Sequence, residues 1–229
     1  MKLHGLQKMT LLDFPGHVAC TVFLGGCDFR CPFCHNFELA DGSAKAVMTD
    51  DEFFKFLSGR KALLDGVAIT GGEPCMHNEL PGFLAKIKEL GFAVKLDTNG
   101  YHPTMLENIL DKKLADYVAM DIKNSPSKYA ETCGIDKTDI SVIKKSIGII
   151  MRKAKDYEFR TTVVSEFHSE KDFEEIGKMI KGGRKYFLQA FTDRDTVPFG
   201  NLHAPGRDEL EKYAAIVKKY VSKAEIRGI

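Results

Sequence analysis

The chain carries almost no net charge. Its 33 lysines and arginines stand against 32 aspartates and glutamates, leaving +1 over 229 residues. That balance gives no support to a role on nucleic acid or at a membrane surface. Long apolar runs are absent too, so no stretch is fit to cross a bilayer. The N-terminus lacks the basic start and apolar core of a secretory leader. Cysteine is scarce: there are six, of which three are crowded together and three (Cys20, Cys75, Cys133) are scattered. Such usage suits a reducing cytoplasm rather than a disulfide framework. Repeats, low-complexity tracts and linkers are also missing. One monomeric domain over 1–229 is expected, with residues 1–16 as an opening segment that closes in the turn Leu11-Leu12-Asp13-Phe14-Pro15-Gly16.

What remains is a regular alternation. Six short β-rich stretches are expected as strands: His17–Leu24, Val67–Thr70, Phe92–Leu96, Tyr117–Ile122, Phe159–Val164 and Tyr186–Phe191. Between them lie segments with helical periodicity. Thr49-x-x-Glu52 is a capping box that opens a helix with Phe53, Phe54 and Leu57 on one face. Leu80, Leu84 and Ile87 mark the next, and Pro103 opens another with Leu106, Ile109 and Leu110 inward. Ile143, Ile147 and Ile150 stripe a helix after Asp139, and Phe173, Ile176 and Ile180 stripe one over 170–180. Leu210, Tyr213, Val217 and Tyr220 predict a last helix. Strands that alternate with helices call for a parallel sheet under helical cover. Six units are too few for a closed eight-unit barrel and suit an open, partial one.

The densest chemistry lies in Cys27-Asp-Phe-Arg-Cys31-Pro-Phe33-Cys34, just after the paired glycines 25 and 26. Soft thiolates select zinc, copper(I) or iron–sulfur clusters. Structural zinc wants four protein ligands, and the nearest fourth donor, His35, adjoins Cys34 and would be cramped. An iron–sulfur cube held by three cysteines keeps one iron open for a ligand. The remaining polar motifs fall at strand ends, where sites gather in parallel α/β folds. They are Gly71-Gly72-Glu73-Pro74, Asp97-Thr98-Asn99-Gly100 and Asp121-Ile122-Lys123. Glycines there permit close backbone approach to a ligand, although a plain glycine turn reads the same way. The acids also suit helix N-caps.

Cys-x3-Cys-x2-Cys with Phe33 before the last cysteine, taken with Gly71-Gly72-Glu73-Pro74, resembles the radical S-adenosylmethionine superfamily. The resemblance implies a three-quarter TIM-like barrel of about six βα units. It implies a 4Fe–4S cluster on Cys27, Cys31 and Cys34, with S-adenosylmethionine on the open iron. Phe33 and His35 would flank that cofactor, and Gly71, Gly72 and Glu73 would meet its amino group. Asp13-x-Pro15-Gly16 and Cys34-His35-Asn36 narrow the likeness to activating enzymes of glycyl-radical proteins. In that group the acids at strand ends bind a monovalent cation beside the cofactor. Carried over here, Asp97, Thr98, Asp121 and Lys123 would serve cofactor and cation, and Arg160 the cofactor carboxylate. Some relatives place a histidine at the end of the sixth strand; this chain has Gln189-Ala-Phe191-Thr192 there. Asp13 would contact the target glycine loop, though it also suits a plain turn. His168 reads as a polar loop residue.

The implied reaction is reductive cleavage of S-adenosylmethionine and removal of a glycine Cα hydrogen in a partner enzyme. The implied partners are a glycyl-radical enzyme of the pyruvate formate-lyase or anaerobic ribonucleotide reductase type, and flavodoxin or ferredoxin as electron donor. A small-molecule radical enzyme, such as a 7-carboxy-7-deazaguanine synthase, is the alternative. A cluster carrier or zinc module would leave six βα units unexplained.

Overall fold

The computed structural model describes residues 1–228. An opening pair of strands, β1 (Lys2–Leu3) and β2 (Gly5–Thr10), precedes β3 (Ala19–Leu24). Then come α1 (Phe37–Asp41), β4 (Met48–Thr49), α2 (Asp50–Ser58), β5 (Gly66–Gly71), α3 (Leu80–Glu89), β6 (Ala93–Thr98), α4 (Pro103–Asp111) and β7 (Tyr117–Asp121). The second half holds α5 (Tyr129–Cys133), α6 (Ile140–Lys153), β8 (Asp156–Val163), α7 (Glu170–Met179), β9 (Lys185–Ala190), α8 (Arg207–Val217) and β10 (Lys223–Arg227).

Eight strands form one sheet in the order β10-β9-β8-β7-β6-β5-β3-β2. Every pairing in it is parallel except β2 on β3, which is antiparallel. The six expected strands occupy the middle, in sequence order. Two edge strands are additional. The opening segment supplies β2 rather than a free approach to the fold, and 223–227 pairs with β9.

The sheet is curled. A flat sheet would hold β2 and β9 about 29 Å apart, six spacings of roughly 4.8 Å. Yet Gln7 on β2 and Gln189 on β9 line the same cavity. The result is an open α/β barrel. Strand residues alternate accordingly. Val94, Leu96, Val118, Met120, Tyr157, Phe159, Tyr186 and Leu188 face the helices in the main core. Lys95, Asp97, Asp121, Glu158 and Arg160 interact on the inner face. Phe14 plugs the lower end of the barrel against Tyr117, Ala19 and Ala119.

The helices follow their sequence signals. Thr49 and Glu52 close the capping box on α2, with Thr49 N donating to Glu52 Oε2 at 2.8 Å. Asp139 caps α6 through Ser141 N, and Ile143, Ile147 and Ile150 are buried beneath it. The last helix ends at Val217, three residues before the Tyr220 expected on it. Tyr220 instead packs its ring over Gly177 of α7 and donates its hydroxyl to Glu174.

Candidate active site

A cavity of about 400 Å³ opens at the carboxyl ends of the strands. Cys27, Cys31, Cys34, Phe33 and His35 line it from the loop after β3. Gly71, Gly72, Asp97, Thr98, Asp121, Lys123 and Arg160 line it from β5 to β8, and Asp13 from the turn between β2 and β3. Of the residues that the resemblance assigns to cluster, cofactor or target, Glu73 alone lies outside the lining.

The double glycine also has a task within the chain's own backbone. Gly71 has φ of +126°, and a Cβ there would sit 2.2 Å from Leu24 O. A Cβ on Gly72 would sit 1.9 Å from Gly26 O. No side chain fits such gaps. The close approach is therefore to the chain's own backbone as it enters the cysteine loop. Gly72 N donates to Leu24 O at 2.9 Å and Glu73 N to Gly26 O at 2.7 Å. His77 Nε2 donates to Gly25 O at 2.9 Å from the same side. The cysteine loop is thus anchored on the end of β5.

Glu73 continues that anchoring. Its carboxylate is fully buried and accepts Cys75 N at 2.9 Å, Thr98 Oγ1 at 2.8 Å and Asn99 N at 2.6 Å. Burial pushes its pKa up, against the pull of the Asn99 and Cys75 amides. It locks the β5 turn to the end of β6 from behind the cavity wall. Asn99, a member of the strand-end motif with no role of its own assigned from the sequence, completes the link. Its Oδ1 accepts Tyr101 N at 2.9 Å, and this turns its Nδ2 toward Cys27 Sγ, 3.7 Å away.

The inner face of β6, β7 and β8 carries an ion network. Arg160 donates to Asp97 Oδ2 at 3.1 Å and, through Nε, to Asp121 Oδ1. Lys95 Nζ donates to Asp97 Oδ1 at 2.5 Å, and Lys123 Nζ to Asp121 Oδ2 at 3.0 Å. Burial pushes both carboxyls up, but Arg160 together with Lys95 beside Asp97 and Lys123 beside Asp121 outweighs it and holds them below the usual range. Lys95 was not foreseen; it reads as an ordinary lysine in a strand.

Two further neighbours were missed. His168 is buried, with Nε2 donating to Lys123 O at 2.9 Å and Nδ1 against the Val164 backbone. It supports the Asp121-Ile122-Lys123 turn rather than sitting as a loose loop residue. Cys133 at the end of α5 neighbours the cysteine loop, its carbonyl accepting Arg30 N at 2.8 Å. His35 donates from Nε2 to Thr192 O at 2.6 Å and stacks on Phe191, tying the cysteine loop to the end of β9.

The donor set fits an iron–sulfur cluster. Three soft sulfurs line one cavity. Phe29 N at 3.4 Å and Asn99 Nδ2 donate to Cys27 Sγ, the contacts a buried thiolate needs. Burial pushes the Cys27 thiol up to about 12 and Cys34 upward as well, against the weaker pull of nearby backbone amides and the Lys123 charge. Cys31 falls to about 7 through its contact with Cys133, helped by the charge on Lys123.

An open α/β barrel with three thiols and an ion network at its strand ends defines a cofactor-binding barrel enzyme. Residues 21–180 match the Radical SAM superfamily model, and the chain belongs to that family. The family's chemistry uses S-adenosylmethionine with a 4Fe–4S cluster. The chain is 36% identical to a "Putative glycyl-radical enzyme activating enzyme" of Methanocaldococcus jannaschii, across 98% of this chain and 95% of that one. It is 35% identical to a pyruvate formate-lyase-activating enzyme of Clostridium pasteurianum, across 54% of this chain and 52% of that one. A radical SAM methyltransferase from Sphaerobacter thermophilus has the same fold, with a TM-score of 0.73 at 14% identity, over 96% of this chain and 69% of that one. Among the described residues no helix is long and apolar enough to cross a membrane.

Proposed function

We propose that this chain activates a glycyl-radical enzyme by abstracting a hydrogen atom from a glycine Cα of that partner. The observation that carries the reading is Asp13. It lies on the turn between β2 and β3, yet lines the same cavity as the three cysteines. Thr21 Oγ1 donates to its Oδ2 at 2.5 Å, and Thr10 Oγ1 accepts the Leu12 and Asp13 amides, so the carboxylate is held in place. A fixed carboxylate beside the radical source suits the backbone N–H groups of an extended peptide loop. The near-full-length similarity to the Methanocaldococcus protein supports the same reading.

Cys27, Cys31 and Cys34 would hold the cluster. Phe33 and His35 would flank S-adenosylmethionine, and Gly71, Gly72 and Thr98 in the cavity lining would receive its polar end. Lys123 and Arg160 carry the charge that suits its carboxylate. When bound, the pair supplies one-electron cleavage of the sulfonium and a carbon-centred hydrogen acceptor. The chain's own residues supply position, not proton transfer. The glycine clamp and Glu73 fix the cysteine loop against β5 and β6. Glu73 acts through these anchors and not by contact. Each of the four oxygens of Asp97 and Asp121 already accepts from a protein cation, so a monovalent cation would compete with Lys95, Lys123 and Arg160 for them. The electron would come from a small donor of the flavodoxin or ferredoxin class.

The test uses a glycyl-radical partner labelled with glycine deuterated at Cα. Deuterium appearing in 5′-deoxyadenosine, after incubation with reduced protein and S-adenosylmethionine, is the expected result. Cofactor cleavage without deuterium transfer, across partners of both the pyruvate formate-lyase and ribonucleotide reductase types, would favour a small-molecule substrate.

A further inference from the structure

Lys95 sits in the middle of β6 at 3% exposure, on the face that looks into the barrel. Lysines are almost never so buried unless paired. Its Nζ takes one oxygen of Asp97, and Arg160 takes the other. Arg160 and Lys123 take the two oxygens of Asp121. Three protein cations therefore face two acids, and one positive charge is left over in the wall of the cavity. An alkali ion needs several oxygens in one shell. Here each carboxylate oxygen is held in a charge-assisted hydrogen bond. An ammonium group carries the charge of an alkali ion, has three donors, and cannot dissociate from its own chain.

We infer that Lys95 is a tethered counter-cation for this site: its ammonium on Asp97, with Arg160 bridging to Asp121, supplies the positive charge a monovalent ion would otherwise bring. The inference rests on the reading that S-adenosylmethionine binds in this cavity. It follows that cofactor binding in this protein is indifferent to which alkali cation is in solution. Removing the ammonium opens Asp97 Oδ1 and creates a demand for an ion. Lys95 acts through Asp97, so it is a positioning residue and not a catalytic one.

The experiment is equilibrium dialysis of S-adenosylmethionine against the cluster-loaded protein. The sole monovalent cation is potassium, sodium or tetramethylammonium, at constant ionic strength. The native protein should give one affinity in all three, within about twofold. Lys95→Met should bind about tenfold or more weakly in tetramethylammonium, the effect of one charge-assisted hydrogen bond, and recover in potassium or sodium. Lys95→Arg, which keeps the charge, should remain indifferent. A cofactor-free readout runs beside it: the cluster-free Lys95→Met chain should melt higher in potassium than in tetramethylammonium, while the native chain melts alike in both. A native protein that binds about tenfold better in potassium or sodium than in tetramethylammonium would overturn the inference, and that comparison needs no variant. So would a folded Lys95→Met that binds as tightly as native in tetramethylammonium. Absence of binding by native protein in every buffer is a separate failure, and it would refute the cofactor reading itself.

Discussion

Replacing Glu73 by glutamine separates two roles for a residue that the family likeness assigns to the cofactor. The carboxylate sits behind the cavity wall and accepts three donors: Cys75 N and Thr98 Oγ1 on Oε1, and Asn99 N on Oε2. Glutamine has the same shape but one acceptor oxygen. Turned to keep Cys75 and Thr98, it sets its NH₂ against the Asn99 amide, which lies 2.6 Å from the present oxygen. A buried N–H left without an acceptor costs about 1–3 kcal/mol, and the two surviving bonds lose their charge assistance. Not burying a charge offsets part of this. The net expectation is about 2–4 kcal/mol, or a fall of roughly 4–16 °C in melting temperature for a chain of this length. Thermal unfolding of the cluster-free Glu73→Gln protein measures it directly. Loss of cluster loading should accompany it, because Asn99 also orients toward Cys27. A variant that melts within about 2 °C of native but binds S-adenosylmethionine poorly would refute the anchoring argument and favour direct contact.

Arg160→Met leaves Asp97 Oδ2 and Asp121 Oδ1 without a partner, and breaking such a buried pair should cost about 3–5 kcal/mol in denaturant unfolding. Arg160→Lys should recover only part of it, since one ammonium cannot span both acids as the guanidinium fork does. His168 is held neutral, because burial pushes its pKa down despite its contacts with the Lys123 and Val164 backbone. A base whose folded pKa is depressed gives stability that is full above the ordinary value, about 6.5, and is lost as pH falls toward the folded value. The native chain should therefore lose more melting temperature between about pH 7.5 and 5.5 than His168→Asn does; equal losses would show that His168 does not govern this window.

Much of this was legible in the sequence, for identifiable reasons. The six inner strands are short apolar runs between strong helical stripes, and the capping box at Thr49 and Glu52 was satisfied as written. The cysteine loop and the strand-end motifs converge because a parallel sheet brings all its carboxyl ends to one side. The edge strands were not legible. The exposed positions of β2 and β10 carry polar residues such as Gln7, Lys8 and Lys223 and show little apolar pattern, and both strands are fixed only by pairing with a neighbour. Lys95 is a single polar residue among apolar ones, and only its pairing with Asp97 gives it meaning. The double glycine suits a close approach, but the backbone it meets in the fold, Leu24–Gly26, lies about 45 residues away in sequence and cannot be read from spacing. The anchoring bonds of Glu73 and the burial of His168 were out of reach for the same reason. Their roles depend on which donors surround them once the strands are side by side.

The most direct test of the central claim, that one cavity holds the cluster, its cofactor and the target glycine, is electron paramagnetic resonance on anaerobically reconstituted, reduced protein. A cluster signal should appear, shift when S-adenosylmethionine is added, and be lost in Cys27→Ala, Cys31→Ala or Cys34→Ala. A glycine-centred doublet should follow in a matched glycyl-radical partner, and should weaken in Asp13→Asn more than uncoupled cofactor cleavage does. A soundly reconstituted native protein with no cluster signal, or a signal indifferent to S-adenosylmethionine, would contradict it.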